Sequence, residues 1–501
     1  MTNSSEATEQ LSNIPSGWAR VTLGDVAEYI NGFAFKPSDW EESGLPIIRI
    51  QNLTDEDKEF NRSKREVEER YRITNGDLLV SWSATLDAFV WTRGEALLNQ
   101  HIFKVVPHTE LDKRFVFYLL KKSIEELKKS EHMHGSTMRH INRGPFLAHP
   151  AYLPPVAEQS RFADRLDELF SQIEKGEENL KRVQTLVKRY RQSVLKAAVT
   201  GELTRDWREA NGDEGESGEE LLARILEARR AAWEAAELEK MKAKGKEPKN
   251  DKWKEKYKEP VAADLTLPLM IPATWAVAST ESVMRHITSG SRAWKPYYDR
   301  GTGVFVMAQN VRPGRFDMSF RQLVDPPLDD PERSRTEIKI DDILVTIVGA
   351  NTGDVCRVVD EVEEHYVCQS VALLRPVEPA LARFLETYFV ASEGGQRQYA
   401  RHIYGAGRPH LSFDQLKQTP VPLPPMAEQQ EIILRVDALL SELDVLEKQL
   451  VESSRYSDRL RQSVLQAAFS GNLVPQDPND EPASALLKSI SEQKIKYTVA
   501  S

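Results

Sequence analysis

Cysteine is almost absent: only Cys356 and Cys368 occur in 501 residues. Two thiols are too few for a disulfide framework and lack the spacing of a four-ligand zinc site, so both are expected to be small buried apolar residues. Long apolar runs are missing as well, and none approaches the roughly 18 residues that a membrane span needs. The opening MTNSSEATEQLS has neither a basic start nor an apolar stretch, which predicts a chain that works in the cytoplasm. Recognisable catalytic motifs are equally scarce. The one Gly-Lys pair, Gly245-Lys246, lies in a charged stretch and is followed by Glu247, so no phosphate-binding Walker loop exists. No HExxH, nucleophile elbow or glycine-rich dinucleotide fingerprint occurs.

What is present describes a globular chain with room for three or four domains, 40% hydrophobic and 29% charged. The formal net charge of −10 argues against a polyanionic partner, since affinity for DNA rests on neutralised phosphates. Whole-chain charge is a poor guide, however, because the local field of one face decides. Asp325-Pro-Pro-Leu328 has the outline of the D-P-P-aromatic motif of amino-methyltransferases, but Leu328 offers no stacking face to a flipped base. A proline-fixed turn is the expectation there.

The chain repeats itself. Residues 153–203 align with 423–473 at a constant offset of 270, without a gap and with 22 identities in 51 positions, which chance does not produce. The anchors are LPP-x-AEQ (Leu153 to Gln159, Leu423 to Gln429) and RQSVL-x-AA-x-x-G-x-L (Arg191 to Leu203, Arg461 to Leu473). Upstream the repeat is fainter: Gln100 pairs with Gln369, Asp77 to Val80 with Asp342 to Val345, and Ile14-Pro15 with Trp18 pair with Ile271-Pro272 and Trp275. Each unit is therefore a variable globular domain followed by a near-constant segment.

Apolar spacing makes the constant segment a long helix. Phe162, Leu166, Leu169, Ile173, Leu180, Val183, Val187, Tyr190 and Val194 alternate by threes and fours, as do Ile433, Val436, Leu440, Leu443, Leu450, Leu460 and Val464. Leu-Pro-Pro before each stretch cannot be helix interior. Each helix reaches roughly 60 Å at ~1.5 Å per residue. Neither buries its stripe alone, so the two are expected to pair, antiparallel, with a related globular domain at each end and the C-terminus returned near the N-terminus.

The variable domains carry strand signals such as PIIRIQNL, GDLLVSWSA, GVFVMAQNV and DDILVTIVGA, with short helices between, and are expected to be α+β. The organisation that follows is a tail at 1–13, a domain at 14–155, a helix at 156–204, a charged segment at 205–270, a second domain at 271–425, a helix at 426–473 and a tail at 474–501. Residues 205–260 hold 14 Lys or Arg and 15 Asp or Glu. They read as a charged amphipathic helix and a solvated Lys-rich linker, or alternatively as a docking helix presenting Leu221, Leu222, Ile225 and Trp233.

Candidate contact residues recur at equivalent places in both units. Gly135-Ser136-Thr-Met-Arg139-His140 with Arg143 parallels Tyr404-Gly405-Ala-Gly-Arg408-Pro-His410, which follows Arg397 and Arg401. Glycine lets the backbone approach a phosphate, while Arg, His and Asn reach phosphates or base edges. Asn31, Phe33 and Lys36 parallel Ser289, Arg292, Trp294 and Lys295, where aromatics interleave with cations; Trp82, Ser83 and Thr85 parallel Asn351 and Thr352. Gln100-His101 and Gln369 complete the set. The histidines His132, His134 and His140 lack an acidic or cysteine companion at ligand spacing, so a polar recognition loop is expected rather than a metal site.

This arrangement resembles the specificity (S) subunit of Type I restriction-modification systems, over nearly the whole chain. The resemblance rests on LPP-x-AEQ before a long helix, RQSVL-x-AA-x-x-G-x-L, the opening I-P-x-x-W, the N-G-F-A-F-K and G-D-L-L-V-S elements, and the duplication. It implies two target recognition domains, each reading half of a split double-stranded DNA site, and no catalytic or metal residue in this chain. It further implies that the paired helices act as a spacer and dock two modification (M) subunits, which carry S-adenosylmethionine, and that restriction (R) subunits join for cleavage. Leu166, Ile173, Leu180, Val194, Val436, Leu443, Leu450 and Val464 are the candidate partner-binding positions. The 205–260 insertion, which makes the first unit longer, and the divergence of the two domains are departures from a symmetric pattern, and the divergence implies an asymmetric target. The rival is a non-catalytic coiled-coil scaffold whose domains bind proteins.

Overall fold

The computed structural model describes residues 15–129, 141–211, 215–246, 248, 250–290, 292–405 and 407–499. Two compact units emerge, one formed by residues 1–181 with 451–501 and the other by residues 182–450. Each long helix, Val156–Val199 and Met426–Phe469, passes from one unit into the other.

In the first unit the strand Ala19–Thr22 pairs antiparallel with Pro150–Leu153, tying the start of the variable domain to its end. Between them lies an antiparallel four-stranded sheet in the order Ala27–Asn31, Ile102–Pro107, Leu78–Ser81, Asp87–Val90. Leu78 to Ser81 are all buried, which fits the continuous apolar run of a strand covered on both faces. A second four-stranded sheet has Asn61–Ser63, Leu45–Ile48, Ala96–Leu98 and Arg72–Ile73 in order. The helix Lys113–Leu127 starts where Asp112 accepts the backbone N–H groups of Arg114 and Phe115.

The second unit repeats this plan. Ala276–Ser279 pairs with Pro420–Leu423, and the four-stranded antiparallel sheet runs Met284–Ser289, Val371–Pro376, Ile343–Thr346, Val355–Arg357. Its second sheet has three strands, Gln322–Val324, Tyr298–Val306 and His365–Val367. The α+β expectation holds in both domains. Cys356 and Cys368 are unpaired and buried, and burial pushes both thiols up, as expected of packing residues.

Within each unit the two long helices lie antiparallel. In the first, Phe162 meets Phe469 with ring centroids 4.9 Å apart and Glu177 accepts from Arg461 at 2.9 Å. In the second, Arg191 reaches Asp444 at 2.5 Å and Arg435 donates to the Leu203 carbonyl at 2.8 Å. Most of the stripe is taken up by packing: Leu166, Ile173, Val194, Val436, Leu443 and Leu450 are buried, Leu180 and Val464 are half-buried, and Val183 and Tyr190 stay exposed. The six buried residues are core, each contributing roughly 1.5–3 kcal/mol by leaving water, and their assignment as partner-binding positions is corrected; half-buried Leu180 and Val464 contribute less.

A repeated anchor joins domain to helix. Trp18 donates its indole N–H to Glu158 at 3.0 Å, and Trp275 donates to Glu428 at 2.8 Å. Burial pushes the Glu158 carboxyl up, partly offset by the indole bond. Glu428 also accepts from Thr204 at 2.8 Å and from the guanidinium of Arg208. Replacing Glu428 by Ala strands these donors in the interior. It is expected to cost about 3 kcal/mol, the low end for a broken buried ion pair, because Arg208 keeps the Gly201 carbonyl. Thermal unfolding beside the surface control Leu434→Ala checks it; equal midpoints would remove Glu428 from this role.

Within 205–260 the amphipathic helix docks inside the chain, while the Lys-rich stretch after it stays largely exposed, as a solvated linker does. The helix, Gly218–Ala243, buries Leu221 and Ile225 against the second unit's core. Gly218 donates its N–H to the Thr274 carbonyl at 3.2 Å, and a Cβ there would stand 2.5 Å from the Ala276 nitrogen. The C-terminal helix Ala483–Val499 does the same in the first unit, with the Ala483 N–H donated to the Gly17 carbonyl at 2.9 Å and Leu486 and Leu487 packed on the core.

Candidate nucleic-acid interface

Antiparallel pairing gathers the recurrent loops at one end of a sheet. Asn31 ends its strand, Trp82 to Thr85 follow Ser81, and Gln100-His101 precede Ile102; all three points lie at the same end of the first four-stranded sheet. Contacts confirm the convergence. The Trp82 indole N–H donates to Asn31 at 3.4 Å, the Trp82 and His101 rings are 4.8 Å apart, and the backbone N–H of Trp82 donates to the His101 carbonyl at 3.2 Å. Ile141 donates in turn to the Trp82 carbonyl at 3.2 Å, and Arg143, two residues on, spends one N–H on the Tyr29 carbonyl at 3.3 Å.

The second unit reproduces these bonds. Ile347 donates to the Ser370 carbonyl at 2.9 Å and Leu411 to the Ile347 carbonyl at 2.9 Å, the counterparts of the Trp82 and Ile141 bonds. Ser289, Gln369 and the Asn351–Thr352 turn therefore occupy the equivalent sheet end. Thr352 donates its hydroxyl to the Pro409 carbonyl at 2.9 Å, while Tyr404 and His410 bridge each other through backbone bonds of 3.2 and 2.9 Å. Glycine is required beside this end: a Cβ on Gly32 would lie 2.0 Å from the Asn99 carbonyl oxygen, and one on Gly290 1.6 Å from that of Val367. Ala84 and His101 adopt left-handed backbone at φ 58° and 73°. Such non-glycine conformations cost on the order of 1–3 kcal/mol each and cluster where geometry serves a ligand.

Lys36, Arg143, Arg292, Lys295 and Arg408 are exposed; among the described residues Lys36 feels the nearby Asp39 carboxylate and no carboxylate pairs with the other four. Exposed Thr85, His101, Gln369, Tyr404 and Gly405 add donors, acceptors and one aromatic face. Cations without partners beside amide, hydroxyl and imidazole groups can hold phosphates and read base edges.

Other candidates lie elsewhere. Trp294 is fully buried and donates its indole N–H to Asp330 at 2.8 Å, so it is a core residue and the expectation of a stacking contact is corrected. Phe33 is half-buried against Phe35 and Tyr71, beneath the Arg65 guanidinium 4.8 Å away. Arg397 and Arg401 stand on the helix Gly395–His402, within reach of Glu393 at 3.8 Å and Asp264 at 4.0 Å, and are not gathered with the sheet-end loops. Gly135, Ser136, Arg139 and His140, with His132 and His134, lie outside the described residues. Arg65 was not foreseen, since nothing in its spacing ties it to Phe33.

Among the described residues no cluster of His, Cys, Asp or Glu is disposed to hold a metal ion, and no helix is long and apolar enough to cross a membrane. At Asp325-Pro-Pro-Leu328 the Asp330 N–H donates to the Pro327 carbonyl at 3.1 Å and Leu328 is exposed, as a turn requires.

Comparison with known proteins agrees with the internal evidence. A family model described as Type I restriction modification DNA specificity domain matches residues 15–182 and 331–453. The Type I restriction enzyme EcoBI specificity subunit of Escherichia coli is 26% identical over 97% of this chain and 94% of its own length. The EcoKI specificity subunit of Escherichia coli strain K12 is 22% identical over 96% of each chain. A solved chain from work on complex assembly and conformational transition of the type I R-M system superposes with a TM-score of 0.53, at 17% identity over 92% of this chain and 99% of that one, which extends the likeness to the fold.

Proposed function

Since the chain belongs to the family of Type I restriction-modification DNA specificity proteins, we propose that it supplies sequence specificity to such a complex and performs no chemistry of its own. The observation that carries this reading is the duplication at the level of geometry: two sheets whose equivalent ends gather Asn31, His101 and Arg143 in one unit and Ser289, Gln369 and Arg408 in the other. Two unlike recognition domains on one chain read two unlike half-sites, giving a bipartite and asymmetric target. The length of helix between them sets the number of base pairs between the halves, just as dimer geometry sets half-site separation.

Partners supply the rest. Two modification subunits hold S-adenosylmethionine and methylate the DNA, and restriction subunits cleave it. With most of the helix stripe spent inside the chain, the surface left for modification subunits is the exposed apolar set on the helix flanks. Leu186, Tyr190 and Val445 supply it in the second unit, and Val451 and Tyr456 in the first.

Arg408→Ala tests the loop assignment. If Arg408 meets a base, binding to the target falls by about 1–3 kcal/mol and discrimination at one position relaxes; if it meets a phosphate, binding weakens on all sequences and the salt slope drops by about 1. Gel-shift titration across salt, with the modification subunits present, separates the two. Unchanged binding at every salt concentration would remove Arg408 from the interface.

A further inference from the structure

Beyond the recognition loops, the second unit holds a cleft of opposite character to the acidic chain as a whole. Its volume is about 320 Å³, and its lining is Arg229, Trp233, Lys256, Tyr257, Lys258 and Arg285. Four cations and two aromatic rings therefore face one space that no carboxylate lines. The rings are braced: Trp233 and Trp253 stack at 6.1 Å, and Trp233 meets Tyr257 at 5.4 Å. Arg229 is held in place by donating to the Tyr257 hydroxyl at 2.6 Å and to the Met284 carbonyl at 3.2 Å. Lys256, Lys258 and Arg285 are exposed, and none has an ion-pair partner among the described residues. Of the neighbouring acids, Glu281 pairs with Lys417 at 3.0 Å and also feels Arg229, while Glu234 pairs with Lys254 at 3.3 Å and Arg230 at 3.2 Å, so Lys256, Lys258 and Arg285 are the cations left without an acid among the described residues. A recess lined by one sign of charge focuses its field and concentrates anions.

Chain continuity identifies the anion. Arg285 begins the strand Met284–Ser289, whose far end carries the sheet-end candidate Ser289. Four residue steps at roughly 3.3 Å place the two positions about 13 Å apart, or about four base pairs along a duplex. The geometry points to this cleft as a sequence-independent phosphate anchor that grips the DNA backbone flanking the half-site read by the second recognition domain. This rests on the reading that the chain binds DNA. The C-terminal helix, which takes the same place in the first unit, has 17 residues against 26 for Gly218–Ala243, and among the described residues no pair of cleft-lining rings like Trp233 and Tyr257 accompanies it. The anchor therefore belongs to one half of the target.

The test uses the full chain assembled with its modification subunits and the double variant Lys258→Gln with Arg285→Gln. On a duplex extending ten base pairs beyond the second half-site, the slope of log affinity against log salt is expected to fall by about 2, one per lost phosphate contact. The methylated motif should stay the same, and a duplex trimmed at the half-site edge should show no change of slope. Equal slopes for variant and parent on the long duplex overturn the anchor, and so does relaxed sequence discrimination, which would make these residues readers. If the parent complex itself fails to distinguish target from scrambled DNA, the specificity reading fails instead. Thermal melting confirms that both exposed replacements leave the fold intact.

Discussion

Exchanging residues 14–152 for the equivalent domain of a relative is expected to change one half of the methylated motif completely and leave the other half untouched. The strand pair that closes the domain, Ala19–Thr22 with Pro150–Leu153, makes the graft feasible, because entry and exit lie side by side. A junction between Tyr152 and Leu153 leaves the helix start at Val156 untouched, and since Trp18 lies inside the exchanged stretch, the incoming domain must bring its own tryptophan there to keep the bond to Glu158. Specificity then travels with loops at one sheet end, Asn31 to Lys36, Trp82 to Thr85 and Gln100-His101. The expected effect is total at the exchanged half, since each wrong base pair costs roughly 1–3 kcal/mol and several change at once. Methylation sequencing of cells expressing the hybrid with its modification subunits reads it out. An unchanged motif would contradict domain-by-domain reading.

The second large effect concerns the helices. Deleting one heptad from each, residues 178–184 and 451–457, preserves the phase of the apolar stripe, because seven residues are two turns of a paired helix. The loss is about 10 Å of rise, equivalent to about three base pairs. The expected outcome is a gap between half-sites shortened by about three base pairs, with both half-sites unchanged, or complete loss of modification when the shortened helices no longer seat their partners. Full activity at the original spacing would show that helix length is not the ruler. Breaking the phase instead, by deleting three residues from one helix alone, should turn buried Leu166 or Val436 out of the core and unfold the pair.

How much of this was legible in the residues differs by feature. The duplication, the two long helices and their pairing could be read because identity at constant offset and a three-four apolar alternation leave few alternatives. Gathering of loops was foreshadowed by recurrence: Trp82 with Ile347 and Gln100 with Gln369 take equivalent backbone places because the same sheet builds both domains. Burial was not legible. Trp294 sits among cations in sequence, yet its ring closes a core against Phe305 and Tyr366, since pattern alone does not say which face of a loop turns inward. The helix stripe was legible as apolar and as paired, but not which of its members, Val183 and Tyr190, would stay exposed. In the Gly218–Ala243 helix Leu221 and Ile225 were legible as part of one apolar side, but not that this side docks on the chain's own core rather than on a partner. The basic cleft draws on residues 229 to 285 from a helix, a linker and a strand, and no spacing rule connects them.

The most direct test is long-read methylation sequencing of a genome modified by this chain with its modification subunits. The account predicts one split motif with two unlike halves and a gap of constant length. A contiguous motif, a palindromic one, or halves separated by a variable gap would contradict it.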